Sequence, residues 1–429
     1  MRRRLTFLGA AAVLAAAALL LGGAVRGGGA RQAQAAVPAV LPGASAAQRV
    51  AELQARLHYN PTDPAAWGQL GIAYEQRARE TGDSTYYSKA GGSLERAIRL
   101  RPHDLVATSG LGSLALSRHR FGLALRLGRE AHRLAPRTAG PYAVVGDALV
   151  ELGRYGAAFH AFDTLAALKP GLTSYARVSY GRELLGNTSG AIQAMRLAVD
   201  AATAEPEPSA WTHWQLGKLY WSTGDAAAAE REYRAALAVF PGYVYALDAL
   251  AQADAGRGRL RDAIALETRA VARMPLPQFV GFLGDLYAET GQTASAERQY
   301  GLVDVIRRLL VANGVKTDLE TALFRVDHGI RLRQSLALAR LAQQERPSID
   351  GDDVLAWALA RNGRCREALG YSRLALRLGT QDALKFFHRG AIERCVGDRQ
   401  AARTWFRRAL RLNPSFSLLW APVARRGAR

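Results

Sequence analysis

Residues 102–170 read PHDLVATSGLGSLALSRHRFGLALRLGREAHRLAPRTAGPYAVVGDALVELGRYGAAFHAFDTLAALKP. Two copies of one pattern stand back to back in this stretch. Leu111, Gly112, Ala124, Gly128, Ala131 and Pro136 are answered by Val145, Gly146, Ala158, Phe162, Leu165 and Pro170. Equivalent positions are about 34 residues apart, a period that marks a stacking helix–turn–helix repeat. In the second copy the pattern predicts a first helix over Pro141–Leu152. Gly153 ends it, because glycine takes a left-handed turn at little cost. A second helix follows through Ala157, Ala158, Ala161, Phe162 and Leu165. Pro170 stops it, since proline lacks an N–H and clashes with the preceding turn. Gly146 and Ala158 are small where two helices must approach closely, while Val145, Leu149 and Phe162 fill the space between layers. One hairpin cannot bury its apolar face alone, so the stable unit is the array.

The pattern recurs outward from this stretch. Trp67, Leu70, Gly71, Tyr74, Ala90, Leu94, Ala97 and Pro102 repeat it, with a loop of extra residues expected near Glu80–Ser84. Leu216, Gly217, Tyr220, Ala229, Tyr233, Ala236 and Pro241 repeat it again, as do Leu283, Gly284, Tyr287, Ala296 and Tyr300. Gly390, Ala402, Phe406, Ala409 and Pro414 close the series. These residues resemble the tetratricopeptide repeat family, whose signature is W-x2-L-G-x2-Y followed by Ala, an aromatic, Ala and Pro. The resemblance spans residues 60–420. It implies an all-α, right-handed superhelix of about ten helical hairpins. No segment alternates in the strand period, so almost no sheet is expected.

The organisation predicted along the chain has four parts. Residues 1–35 form a targeting segment and 36–63 a linker with a capping helix. In that helix Ser45 caps Ala46–His58, with Val50, Leu53 and Leu57 on one face. Residues 64–308 hold about seven repeats, with Ala204–Pro208 expected as a loop between the fourth and fifth. Residues 309–429 hold about three more and a terminal cap, the hairpin at 318–347 being degenerate.

At the N-terminus Arg2, Arg3 and Arg4 precede an uncharged run from Leu5 to Val25. A basic start before an apolar segment reads as membrane targeting. Two readings fit: a leader cleaved after Ala33-Gln34-Ala35, or an anchor, since 21 uncharged residues can span a bilayer. Either way the expectation is an exported protein, secreted or anchored in the membrane through that segment, with the repeats outside the cytoplasm.

The charge of +20 comes from 57 basic and 37 acidic residues, and it is uneven. Residues 36–320 carry a balance of +3, from 31 basic and 28 acidic. Residues 321–429 carry +12, from 21 basic and 9 acidic. The arginines are dispersed around helices rather than gathered in one run, so a solvated face or an acidic partner is expected rather than nucleic acid. The sequence shows no phosphate-cradling loop, serine nucleophile motif or His-x3-His spacing, which points to a protein that is not an enzyme and needs no cofactor or metal.

The resemblance also implies binding residues. In stacked repeats of this family the concave wall comes from fixed positions of each first helix. Those positions fall here on Tyr180 and Glu183 with Arg177 beside them, on Trp211, Trp214, Lys218 and Trp221, and on Tyr245, Asp248 and Gln252. Three tryptophans in one stretch of groove would grip an extended peptide or a partner helix. The competing reading packs these aromatics between helices, because spacings of three and seven share one face either way. A weaker patch is expected at Asp353, Trp357, Phe387, His388 and Arg394. Cys365 opens one second helix and Cys395 lies near the end of the next first helix. These helices pack antiparallel, so in an oxidising compartment the two can form a disulfide; the alternative is two isolated thiols. The functional expectation is a protein- or peptide-binding scaffold. Its alternatives are an assembly or chaperone-like subunit docking through the basic repeats, and a polysaccharide-binding module.

Overall fold

A computed structural model describes residues 45–202 and 205–429. The targeting segment, residues 36–44 of the linker and Ala204 lie outside the described residues. Helix α1 (Ala46–Tyr59) starts with a capping box: the Ser45 hydroxyl accepts from Gln48 N, and the Gln48 side chain accepts from Ser45 N. Leu53 and Leu57 of α1 close over Leu70 and Tyr74 of the first repeat, covering the end of the stack.

Ten hairpins follow among the described residues. They are α2 (Pro64–Thr81) with α3 (Thr85–Leu100), α4 (Leu105–Ser117) with α5 (Phe121–Leu134), and α6 (Gly140–Glu151) with α7 (Tyr155–Leu168). Next come α8 (Leu172–Leu184) with α9 (Thr188–Asp200), α10 (Pro206–Ser222) with α11 (Ala226–Val239), and α12 (Val244–Gly256) with α13 (Leu260–Arg273). The series ends with α14 (Pro277–Glu289) and α15 (Thr293–Ala312), α16 (Asp318–Asp327) and α17 (Leu332–Glu345), α18 (Ile349–Arg361) and α19 (Cys365–Ala375), and α20 (Ala383–Val396) and α21 (Arg399–Leu412). A short α22 (Trp420–Gly427) lies on the last pair.

The pairing follows from side-chain size. A Cβ placed on Gly146 would stand 2.4 Å from the Phe162 ring, so α6 and α7 can touch only because residue 146 has no side chain. First helices form the inner layer and are packed on most sides. Second helices form the outer layer: α21, for example, buries only Ala402, Phe406 and Ala409.

Both expected loops are shorter than read: Gly82–Ser84 and Glu205 stay outside the helices, and the other described residues of the two stretches are helical. The extra residues near Glu80–Ser84 lengthen α2 to 18 residues. Pro206–Pro208 are the first turn of α10, because proline at the first helical position gives up only an N–H that has no helical partner there. At the far end of the seventh repeat α15 runs for 20 residues before Asn313 and Gly314 stop it.

The superhelix closes on itself. Lys316 N donates to the Arg118 carbonyl at 3.1 Å, and His119 Nδ1 donates to the Lys316 carbonyl at 2.6 Å. Ile349 N donates to the Tyr155 hydroxyl at 2.7 Å, Thr380 Oγ1 to the Leu184 carbonyl, and Asn413 Nδ2 to the Trp221 carbonyl at 2.8 Å. The side-chain links among them span 192 to 197 residues. Each hairpin turn of the first superhelical turn therefore rests on an inter-repeat loop about six repeats later. The turn glycines fit this seam. Gly153, at φ 68°, would put a Cβ 2.3 Å from the Pro347 carbonyl oxygen. Gly186, at φ 74°, would put one 2.4 Å from that of Gly379.

Cys365 and Cys395 form a disulfide with Cα atoms 5.6 Å apart, joining the start of α19 to the end of α20. The bond closes a loop with a sequence separation of 30. Chain entropy makes such a loop worth about 3 kcal/mol. Reduction should lower the urea midpoint accordingly. Equal midpoints with and without reductant, or two thiols titrating in the unreduced protein, would contradict it.

Candidate functional site on the inner wall

The inner wall is not an open trough. Gln76 Nε2 of α2 donates to Glu207 Oε2 of α10 at 3.2 Å, although the two helices are four repeats apart. Lower in the bore Arg346 bridges Glu151 and Glu320, and the Lys385 ammonium lies 2.8 Å from Asp350 and 2.7 Å from Asp382. Gln76 with Glu207 and Arg346 with Glu151 thus meet across the axis where an open solenoid would face solvent.

This closure redistributes the expected groove residues. Trp211 and Trp214 are only 3% and 4% exposed; they pack in one cluster with Leu172, Met195 and Tyr243, and the Trp214 ring lies 5.0 Å from Tyr245. They belong to the stack and not to a groove, because the neighbouring first helices crowd that face. Arg177, 1% exposed, forms a two-pronged ion pair with Asp147 at 2.9 and 2.6 Å. It is a strut between α6 and α8, not a binding residue. Trp221 is half-buried at the seam. Tyr180, Glu183 and Lys218 stay on the inner wall, with the Lys218 ammonium 4.9 Å over the Trp214 ring. Burial lowers the Lys218 pKa, against the pull of Glu183, Asp350, Asp382 and Asp248. The expected patch at Asp353, Trp357, Phe387 and His388 is also interior: His388 Nδ1 lies 2.9 Å from Asp353, and its ring stacks on Trp357 at 4.6 Å. Arg394 alone of that group is exposed.

Tyr245, Asp248 and Gln252 do reach a space. They line a cavity of about 160 Å³ shared by α2, α3, α10, α12, α14, α15 and α16. Its wall is mostly apolar and aromatic, with Tyr87, Tyr243, Met274, Phe282, Leu310 and Phe324 prominent. Two polar groups of the lining residues are buried without a protein partner, Tyr243 Oη and Gln278 Nε2, whereas Arg307 Nε faces the Asp304 carboxylate at 3.5 Å. Both unpartnered groups can donate. Tyr243 is 4% exposed, and burial holds its hydroxyl well above the usual tyrosine pKa. Buried donors are costly unless they meet acceptors.

Asp248 has a second relation. The Glu267 carboxyl behind it is fully buried, and no N–H or O–H donates to either oxygen. Asp248 faces this carboxyl, so two like charges would meet in a buried space and one of them is favoured to stay protonated. Burial pushes Asp248 up to about 7, and burial plus the Asp248 charge pushes Glu267 well above its usual value. Raised carboxyl pKa values mean that the folded state binds more protons than the unfolded chain. Stability is then full at pH 4, falls as pH rises, and is lower above pH 7. Glu267→Gln should flatten that decline and stabilise the protein at pH 8 by about 1–2 kcal/mol. Urea midpoints at pH 5 and pH 8 measure it; a variant that follows the same pH dependence would refute this role of Glu267.

Tyr87, Tyr243, Gln278, Phe282 and Arg307 are cavity residues that the sequence reading missed. The adjacent aromatics Tyr243 and Tyr245 were the available hint. Their convergence with residues 303–324 depends on how tightly the superhelix winds, which the repeat pattern does not state. Among the described residues, no group of three or more His, Cys, Asp or Glu could hold a metal ion. No described helix is long and apolar enough to cross a membrane.

Stacked antiparallel hairpins with a glycine facing a large side chain define a helical-repeat protein. The tetratricopeptide repeat family model matches residues 212–243, the hairpin of α10 and α11. That hairpin is a tetratricopeptide repeat by this match, and the same hairpin geometry recurs along the array. No curated protein matches the sequence. Among solved structures it is similar to TTC0263, a thermophilic repeat protein of this family from Thermus thermophilus. The identity is 22% and the TM-score 0.39, over 48% of this chain and 99% of that one. It is similar to human IFIT1, solved as a dimer with PPP-AAAA, at 15% identity and a TM-score of 0.49, over 78% of this chain and 79% of that one. It is also similar to YrrB, described as having an unusual peptide-binding site, at 17% identity and a TM-score of 0.31, over 47% and 99%.

Proposed function

We propose that this chain is a non-catalytic scaffold that binds a segment of protein or peptide in the cavity between its two superhelical turns. The observation that carries the reading is the pairing of an aromatic wall with two buried, unpartnered donors at Tyr243 and Gln278. Backbone carbonyls of an extended segment supply the acceptors those donors lack, and a bulky apolar side chain suits the aromatic wall. A space of about 160 Å³ takes one such anchor and its flanking peptide bonds rather than a whole helix. Sugar stacking would need exposed indoles, and Trp211 and Trp214 are buried, so the polysaccharide reading loses its residues. Export is part of the proposal; its support is Arg2–Arg4 ahead of the uncharged run Leu5–Val25.

The test is to pan a random peptide library on the full chain and on Leu276→Trp, which fills the cavity from its wall. Selected peptides should share one large apolar residue and bind the variant at least tenfold more weakly, while circular dichroism shows both proteins equally helical. Peptides that bind both equally would reject the cavity as the seat.

A further inference from the structure

In the last three hairpins the fold sorts charge by layer. Asp327, Asp352, Asp353 and Glu393 are buried, and Asp350 and Asp382 are engaged by Lys385 in the bore. Six of the nine acids in residues 321–429 are thus turned inward, leaving Glu345, Glu367 and Asp398 outside. The arginines go the other way. Arg333 of α17, Arg366 and Arg373 of α19, and Arg399, Arg403 and Arg411 of α21 are exposed, with no acidic partner among the described residues. The link from Arg340 to Glu367 at 3.4 Å holds α17 beside α19, so these cations belong to one outer layer. Leu341 and Leu374 stand among them, 47% and 46% exposed.

We propose that this layer docks the protein on an anionic lipid surface. The cations are spread over the backs of successive outer helices, α17, α19 and α21. Guanidinium groups pair with phosphate, and aliphatic side chains between them enter the acyl boundary, as at other peripheral membrane faces. Phosphate of a nucleic acid would satisfy the arginines but leave Leu341 and Leu374 in water. The uncharged run Leu5–Val25 is an independent feature of the same chain that points to a bilayer. The proposal does not depend on the cavity.

Sedimentation of the full chain with phosphatidylcholine vesicles, with and without phosphatidylglycerol, tests it. The ratio of the two affinities is the readout, because insertion of the N-terminal run contributes to both. Wild-type protein should prefer the anionic vesicles, and the preference should shrink as salt rises. Combined replacement of Arg366, Arg373, Arg399 and Arg403 by Glu should cut the ratio on the order of a hundredfold or more, at roughly fivefold for each arginine removed from the surface. Leu374→Ser, which removes the apolar side chain without changing the charge, should lower vesicle binding and leave binding to a single-stranded RNA unchanged. Equal binding to both vesicle types, or a ratio unaltered by the four replacements, would overturn the proposal. So would tighter binding to RNA than to anionic vesicles at equal phosphate concentration.

Discussion

Arg346→Ala is expected to destabilise the protein by about 3–5 kcal/mol, the usual cost of stripping one partner from a buried ion pair. Arg346 is 5% exposed and reaches from the eighth hairpin to Glu151 in the third, while also holding Glu320 at 3.1 Å. Burial pushes Glu151 up to about 7 even with Arg346 pulling it down, and Asp350 and Glu320 push it further. Without the guanidinium, Glu151 must stay protonated or sit charged beside two other carboxylates. A raised carboxyl pKa removes stability as pH climbs toward and through it. The loss should therefore be greater at pH 8 than at pH 5. Urea unfolding at both values gives the two numbers. Small-angle scattering should show a longer particle as the seam loosens. A cost below about 1 kcal/mol, or one independent of pH, would mean that Arg346 is not the clasp.

The second large effect is expected at Gly153. Its φ of 68° is strained for any residue with a Cβ, and worst for a β-branched one. Its Cβ would also collide with the Pro347 carbonyl, which is backbone and has no rotamer to change. Gly153→Val should cost about 2–4 kcal/mol from the two sources together. The comparison is Gly258→Val, which has a φ of 79° but no atom within 4 Å of its Cβ position. That variant carries the dihedral strain alone. If both cost the same, the approach of the two superhelical turns contributes nothing at residue 153.

Much of this architecture was legible in the sequence, because each repeat states its own hairpin locally. Gly146 opposite Phe162 and the proline ends fix helix pairing without reference to the rest of the chain. Even the degenerate hairpin at 318–347 could be placed between its regular neighbours. The site was legible only in part. Tyr245, Asp248 and Gln252 line the cavity because α12 turns that face toward the later helices α14 to α16. Trp211 and Trp214 occupy the same face of α10, yet the neighbouring helices cover them. Arg177 looked like a free inner cation because its partner, Asp147, stands 30 residues away on the preceding first helix. What decides these outcomes is the rotation between successive hairpins. A small change in that angle, summed over about six repeats, separates an open coil from one whose turns touch, and no single repeat encodes the sum.

The seam between the two superhelical turns changes how the array should come apart. An open solenoid loses terminal units one by one, since each leans only on its neighbours. Here Tyr155, Leu184 and Trp221 each lean on residues that lie well over a hundred positions later. Deleting the closing hairpins would therefore unroof the middle of the molecule as well as shorten it. The chain behaves as a single cooperative body: its early repeats reach full stability only once its last ones have been made.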